Sequence, residues 1–220
     1  MPGSDPAEVA RRLGTLYTAA IADVLDELGL PRQTLPPAIG PVAPGMRVTG
    51  PAFAIEGRPH RGMRYESSIR RILEVLGAVP AGHVAVYATR DDESAQFGEL
   101  SATSFKARGV AGVVLDGGCR DVDFIVREDF PVFCRFTTPQ DSVSRWEVLE
   151  WGHEIGIGET RIRTGDYVVG DADGVVVIPA ALVADVLRRA EAVATAENEV
   201  RAAVRAGVPP LEAYDRYGKF

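Results

Sequence analysis

Between His83 and Phe136 the chain alternates short apolar runs with helical stretches, and this alternation restricts its fold more than any other feature. The run Val110 to Leu115 is too short for a second helix and reads as a buried strand. Residues 83–89 and 131–136 have the same character, while 98–108 and 121–128 between them read as helices. The result is a β-α-β-α-β core, which implies parallel strands, right-handed crossovers and an α/β fold. In open α/β sheets, ligands bind beyond the carboxyl ends of strands. There the 110–115 strand meets Asp116-Gly117-Gly118-Cys119-Arg120-Asp121, which reads as a charged turn. Just before it, Gly98-Glu99-Leu100 opens a helix, and a helix N-terminus offers free N–H groups and partial positive charge. Residues 98–121 are therefore the candidate site, with Arg120 and Asp121 at its centre.

The flanking chain reads less regularly. Residues 6–29 look like one helix ended by Gly29-Leu30-Pro31, with Asp23, Asp26 and Glu27 on a solvated face. An extended connection, 31–44, precedes a bent or edge strand at 46–56, a loop at 57–62 and a helix at 63–76. Arg58, His60, Arg61 and Arg64 in that stretch are candidates for holding a second carboxylate of a substrate, although plain surface exposure explains them too. Asp91, Asp92 and Glu93 read as loop solvation, with a part in shaping the pocket as the alternative. Residues 137–152 look irregular, with Trp146 and Trp151 as covers or subunit contacts. Three short strands follow at 155–163, 167–169 and 174–178; Asp166, Asp171 and Asp173 between them lack the ligand ladder of a calcium loop and read as turn residues. A long helix, 180–206, and a short aromatic tail close the chain.

Composition narrows the chemistry. At 220 residues and 46% hydrophobic content, residues 1–220 are expected to form a single domain. The net charge of −7 and the lack of a basic run argue against nucleic acid as a direct ligand. The N-terminus has no apolar signal region and no run approaches the roughly 18 apolar residues that span a membrane, so a cytoplasmic protein without membrane contact is expected. Cys119 and Cys134 form no metal-type spacing and read as small buried hydrophobes; His60, His83 and His153 are likewise scattered. Lys106 and Lys219 are the sole lysines, and Lys106 lies two turns from the anion-binding end of its helix, so a Schiff-base mechanism has almost no candidate.

The block GELSATSFKARGVAGVVLDGGCRD closely resembles the signature of the RraA-like family, which includes the 4-hydroxy-4-methyl-2-oxoglutarate / 4-carboxy-4-hydroxy-2-oxoadipate aldolases and regulators of ribonuclease E activity. LYTAAIADVLDELG, TGDYVVGDADGVVVIP and the C-terminal helix with its terminal Tyr-Gly extend the resemblance over nearly the whole chain. It implies a layered α-β-β-α swivelling-type domain with a long C-terminal helix, assembled as a homotrimer or homohexamer with active sites at subunit interfaces. It also implies a divalent metal, Mg²⁺ or Mn²⁺. Carried over by motif, Arg120 binds the keto-acid end of the substrate and Asp121 holds the metal largely through or beside water. The N–H groups at Gly98, Leu100 and Ser101 take the pyruvate carboxylate. Glu99 lies near the waters of the ion, and Glu197 matches an acidic position reaching into a neighbour's site.

The activity implied is a class II, metal-dependent pyruvate aldolase. It cleaves a 4-hydroxy-2-oxo di- or tricarboxylic acid by retro-aldol chemistry to pyruvate and a second oxo acid. Oxaloacetate decarboxylation, which passes through the same enolate, is the expected side activity. The alternative is a non-catalytic regulator that binds ribonuclease E or another protein. Two departures bear on the substrate: Glu99 stands where typical aldolases carry the shorter Asp, and residues 57–69 do not follow the family's Gly-Asp-Asn pattern.

Overall fold

The computed structural model describes residues 5–218; Lys219 lies outside them. The N-terminal stretch folds as two helices, α1 (Pro6–Leu13) and α2 (Thr18–Glu27), where the sequence reads as one. Gly14 caps the end of α1, and Thr18 begins a new helix because Asp171, far along the chain, caps it: the Thr18 N–H and Oγ1–H donate to that carboxylate at 2.9 and 2.7 Å. Asp171 also accepts the Asp173 N–H at 3.0 Å, so it serves as a turn residue as expected and as a tertiary cap that local sequence does not announce.

Strand β1 (Gly40–Pro41) and the long β2 (Val48–Pro59) follow, then α3 (Tyr65–Ala78). The loop expected at 57–62 is thus partly strand, bulged between Glu56 and Gly57. The central run comprises β3 (Val84–Ala88), β4 (Ala95–Phe97), α4 (Glu99–Ala107), β5 (Gly112–Cys119), α5 (Val122–Arg127) and β6 (Val132–Thr137). Its β3, β5 and β6 are parallel, as the β-α-β-α-β pattern requires. Two features depart from the sequence reading: β4 is a strand inside the expected 90–97 loop, and β5 continues through Asp116-Gly117-Gly118-Cys119 instead of turning at Asp116.

The stretch read as irregular contains β7 (Trp146–Trp151), antiparallel to β2. Trp146 is a core residue whose Nε1–H donates to the Thr89 carbonyl at 2.8 Å; Trp151 carries the Arg71 guanidinium 4.2 Å from its ring centroid. Residues expected as one strand at 155–163 form the hairpin β8 (Glu154–Ile157) and β9 (Thr160–Arg163). Then come β10 (Tyr167–Asp171), β11 (Gly174–Ile178), a 3₁₀ turn at Ala180–Leu182, α6 (Val183–Arg205) and α7 (Pro210–Tyr217), the last formed from the aromatic tail.

The main sheet runs β1-β6-β5-β3-β2-β10-β11, with β4 on β5 and β7 on β2. It curls until β1 approaches β10 and β11, a nearly closed surface. Alternation along each strand separates two faces. Val84, Val86, Val114, Val168 and Val177 point into the interior of the curl. Ala85, Tyr87, Val113 and Leu115 point outward to α3, α4 and α5, joined by Phe105 and Ile125. On the far side Val169, Val176 and Ile178 meet α1, α2 and α6 through Leu13, Ile21 and Leu187. Helix, sheet, sheet, helix is the α-β-β-α layering expected. No helix among the described residues is long and apolar enough to cross a membrane.

Asp171→Ala removes the cap of α2 and strands the buried Thr18 hydroxyl. We expect a loss of about 2 kcal/mol in urea unfolding, with the slope unchanged; an unchanged midpoint contradicts the tertiary-cap assignment.

Candidate active site

The site is built where β4 meets the carboxyl end of β5. β3 pairs with β5 from Gly112 to Asp116; β4 then takes over the same edge, Ala95 opposite Gly118 and Phe97 opposite Cys119. This succession demands glycine. A Cβ at Gly117 would stand 2.5 Å from Gln96 Oε1 and Thr89 Oγ1, and one at Gly118 would stand 2.5 Å from the Ser94 carbonyl. The Gly-Gly pair is therefore a consequence of close strand approach, not of turn geometry.

The loop before β4 is held by Asp91, which the sequence reading placed in solvent. It is only 4% exposed. Its carboxylate accepts from the Ser94 hydroxyl, from Gln96 Nε2 at 2.7 Å and from the Glu93 N–H at 2.9 Å. Gln96 Oε1 in turn accepts the Gly118 N–H at 3.1 Å. Asp92 and Glu93 do face outward, paired with Arg135 and Arg61.

At the end of β5 the Arg120 N–H donates to the Phe97 carbonyl at 3.0 Å. The Arg120 guanidinium lies between two carboxylates: Nε is 3.6 Å from Asp121 Oδ2 and Nη2 is 3.5 Å from Asp141 Oδ2. Asp121 sits at φ 60°, ψ 33°, a left-handed conformation that Asp adopts more readily than most residues. That turn starts α5 and lets Oδ2 accept the Glu99 N–H at 3.2 Å, so Asp121 caps α4 from across the site. Gly98 makes this possible; a Cβ there would stand 2.7 Å from Asp121 Oδ2 and 3.1 Å from Arg120 Cγ.

Within α4 the Ala102 N–H is bonded to the Gly98 carbonyl, so the Leu100 and Ser101 N–H groups precede it in the first turn. Glu99 is half-buried, and its carboxylate accepts the Thr103 hydroxyl at 3.1 Å. Gly98, Glu99, Leu100, Ser101, Arg120 and Asp121 all line one cavity of about 530 Å³. The structure thus brings together every candidate of the 98–121 block. Asp141 and Gln96 line the same cavity and escaped the sequence reading, because both lie in stretches that read as loop.

Glu197 lies elsewhere within the chain. It accepts the Tyr17 hydroxyl, lies 3.9 Å from Arg201 and borders a separate depression along α6. Burial, then the Glu197 hydrogen bond, pushes Tyr17 up to about 12. Arg58, His60, Arg61 and Arg64 do not line the cavity either, Arg64 standing just before α3. Glu147 takes the first two at 2.6 and 2.9 Å, and Glu93 takes the third. Cys119 and Cys134 are buried as expected. Hydrogen bonding between the thiols, then burial, raises Cys119 above the ordinary thiol range. Lys106 is structural, donating to the Glu128 carbonyl and tying α4 to the end of α5.

Among the described residues no three His, Cys, Asp or Glu side chains converge as a closed metal site. Asp121 and neighbouring Glu99 instead fit a hard divalent ion that retains most of its water, since few protein carboxylates are the usual magnesium pattern.

Comparison with known proteins agrees with this architecture. The family model described as RraA-like, Aldolase/RraA, matches residues 18–177. A Halalkalibacterium halodurans protein provisionally named a 4-hydroxy-4-methyl-2-oxoglutarate aldolase is 30% identical over 91% of this chain and 90% of its own. The crystal structure of Streptomyces coelicolor RraAS2, described as an unusual member of the RNase ES inhibitor RraA protein family, superposes with TM-score 0.79 at 29% identity. That match covers 89% of this chain and 97% of the other. An uncharacterized Pseudomonas syringae protein superposes with TM-score 0.84 at 29% identity over 94% and 96% of the two chains. The fold, the 98–121 block and the extent of these matches establish that this chain belongs to the RraA-like family.

Proposed function

We propose that the protein is a divalent-metal-dependent lyase that cleaves 4-hydroxy-2-oxo acids to pyruvate and a second carbonyl compound, and decarboxylates oxaloacetate as a side reaction. The observation that carries this reading is Arg120, oriented between Asp121 and Asp141 in the same cavity as the α4 N-terminus. A planar guanidinium and unpaired helix N–H groups are complementary to the carboxylate and keto oxygen of a 2-oxo acid. The provisional aldolase name of the Halalkalibacterium relative supports the same chemistry.

In this mechanism the Leu100 and Ser101 N–H groups hold the C1 carboxylate and Arg120 orients the C2 oxygen. Asp121, with Glu99 beside it, would hold Mg²⁺ or Mn²⁺, which when bound would supply Lewis-acid stabilisation of charge on the C2 oxygen. Glu99 takes the C4 hydroxyl proton directly or through one water. The C3–C4 bond then breaks, its electron pair remains on the pyruvate enolate, and C4 leaves as a carbonyl. Protonation at C3 completes pyruvate. Oxaloacetate loses CO₂ to form the same enolate and presents no hydroxyl proton for removal.

A second reading, inhibition of a ribonuclease E-type enzyme, is favoured by the similarity to RraAS2. Its test is co-purification with ribonuclease E; recovery no greater than background counts against it. A surface-binding inhibitor makes no use of a cavity with an oriented arginine, which is why catalysis is preferred.

Three outcomes are expected. Asp121→Asn preserves an acceptor for the Glu99 N–H but removes charge, so the melting temperature should hold while Mn²⁺ binding by calorimetry and pyruvate release both fall at least tenfold, on the order of the loss of one charged ligand. Equal pyruvate release with Mg²⁺, with EDTA and in this variant would falsify metal dependence. Glu99→Gln should lower aldol cleavage by about 10²-fold yet lower oxaloacetate decarboxylation by under about tenfold; parallel losses rule out Glu99 as the base. Gly98→Ala should displace Asp121 and Arg120, cutting kcat/KM by about 10²-fold while the fold remains; wild-type kinetics would show that the close approach has no catalytic consequence.

A further inference from the structure

Three carboxylates line the cavity, and the lyase reading assigns roles to two of them, Glu99 and Asp121. The third, Asp141, lies outside any helix, yet its position is fixed from several directions. The Ala95 N–H donates to the Gln140 carbonyl at 2.8 Å, and Asp141 forms a parallel bridge with Ala95. The Asp141 carbonyl accepts from Arg145 Nη1 at 2.9 Å, while its Oδ1 accepts the Val143 N–H at 3.2 Å. Ser142, the next residue, is buried, and its carbonyl accepts the Arg145 and Trp146 N–H groups at 2.8 and 2.9 Å. With Oδ1 engaged by its own turn, Oδ2 is left to face Arg120 Nη2, 3.5 Å away.

The strand that anchors Asp141, β4, sets the rest of the anion site as well. The Phe97 carbonyl accepts the Arg120 N–H at 3.0 Å, and Gly98, the next residue, opens α4. The backbone of Arg120, the Leu100 and Ser101 N–H groups and the Asp141 side chain are therefore all referenced to one three-residue strand. What β4 does not fix is the far end of the Arg120 side chain, which is 36% exposed and has Nε 3.6 Å from Asp121 Oδ2. A carboxylate that holds a divalent ion has its charge neutralised, and a cation beside it repels a guanidinium. In the lyase reading Asp121 and Glu99 both stand on the side of the ion. Asp141 is the carboxylate of the cavity left to keep Arg120 in place.

We propose that Asp141 is a positioning residue for Arg120: with Asp121 engaged by a metal ion, it directs the guanidinium fork at the C2 oxygen of a 2-oxo acid whose carboxylate lies on the α4 N–H groups. This rests on the lyase reading for the ligand, but recognition of the C2 oxygen is a binding property, measurable without turnover. Pyruvate and propanoate are both monoanions and differ at C2. The ratio of their affinities therefore reports on that oxygen, and the general gain in anion binding when a negative charge is removed cancels.

The test is a double-mutant cycle on that ratio, measured by calorimetry on the full chain with Mg²⁺. The unaltered protein should favour pyruvate by at least about tenfold, the worth of a hydrogen bond to a charged group. Asp141→Asn keeps an acceptor for the Val143 N–H and removes the charge, so the melting temperature should hold while the ratio falls at least about threefold. Asp141→Ser should do the same, and Asp141→Glu, which keeps the charge, should recover part of the preference. In an Arg120→Gln background Asp141→Asn should change the ratio by less than about 1.5-fold, because no guanidinium remains to be held. An unchanged ratio in Asp141→Asn and Asp141→Ser overturns the proposal. So does an equal fall in both backgrounds, in which case Asp141 acts without Arg120, and so does an unaltered protein that binds pyruvate no better than propanoate. Pyruvate release separates the two readings. Coupled loss of preference without pyruvate release from 4-hydroxy-4-methyl-2-oxoglutarate or oxaloacetate keeps the positioning role and overturns the lyase. Pyruvate release with a ratio that Asp141→Asn leaves unmoved keeps the lyase and overturns the positioning role.

Discussion

The close approach of β4 to the last residues of β5 is the constraint on which the site depends. β4 lies on the edge that β3 vacates, and Gly117 and Gly118 leave no side chain between them. With larger residues there β4 would be forced outward. Gly98 follows directly after β4, so the same movement would carry away the start of α4 and with it the Leu100 and Ser101 N–H groups. The Asp91–Gln96–Gly118 hydrogen bonds hold the approach from the loop side, and their donors offset the cost of burying the Asp91 charge.

Electrostatics then gives this scaffold a direction. Arg120 faces carboxylates on both sides, which restricts its long side chain to one region of the cavity. Asp121 has a double role: its carboxylate stabilises the α4 dipole and stands 3.6 Å from the Arg120 guanidinium. The left-handed backbone at Asp121 is part of this arrangement, an example of local strain retained where geometry serves a site. Opposite these charges, Ile69, Ile72, Leu73 and Leu76 of α3 line the cavity, and Arg108 holds the end of that helix through the Gly77 and Val79 carbonyls.

The layered fold was readable from periodicity because each element of the β-α-β-α-β run is local: its apolar spacing reports its own buried face. The same holds for α6, expected at 180–206 and found at Val183–Arg205 after a 3₁₀ turn. Where the reading failed, the deciding contact was distant in sequence. One helix became two because Asp171 caps Thr18 across 153 positions. β4 and β7 form because open strand edges await them, and their short sequences carry no strong pattern of their own.

For the site, sequence alone determined the block at 98–121, with Arg120, Asp121, Glu99 and the helix start, since a short loop-helix-strand segment keeps its functional groups close together. Tertiary structure decided the rest. It turned an expected charged turn into a strand end crowded by β4, brought Asp141 to 3.5 Å from Arg120, and buried Asp91 against Ser94 and Gln96. It also pairs Arg58 and His60 with Glu147 and Arg61 with Glu93, outside the cavity that the 98–121 block lines. The physical reason is common to all of these: whether a charge is solvated, paired or aimed at a ligand depends on what lies across from it, and neighbours across a fold are not neighbours along the chain.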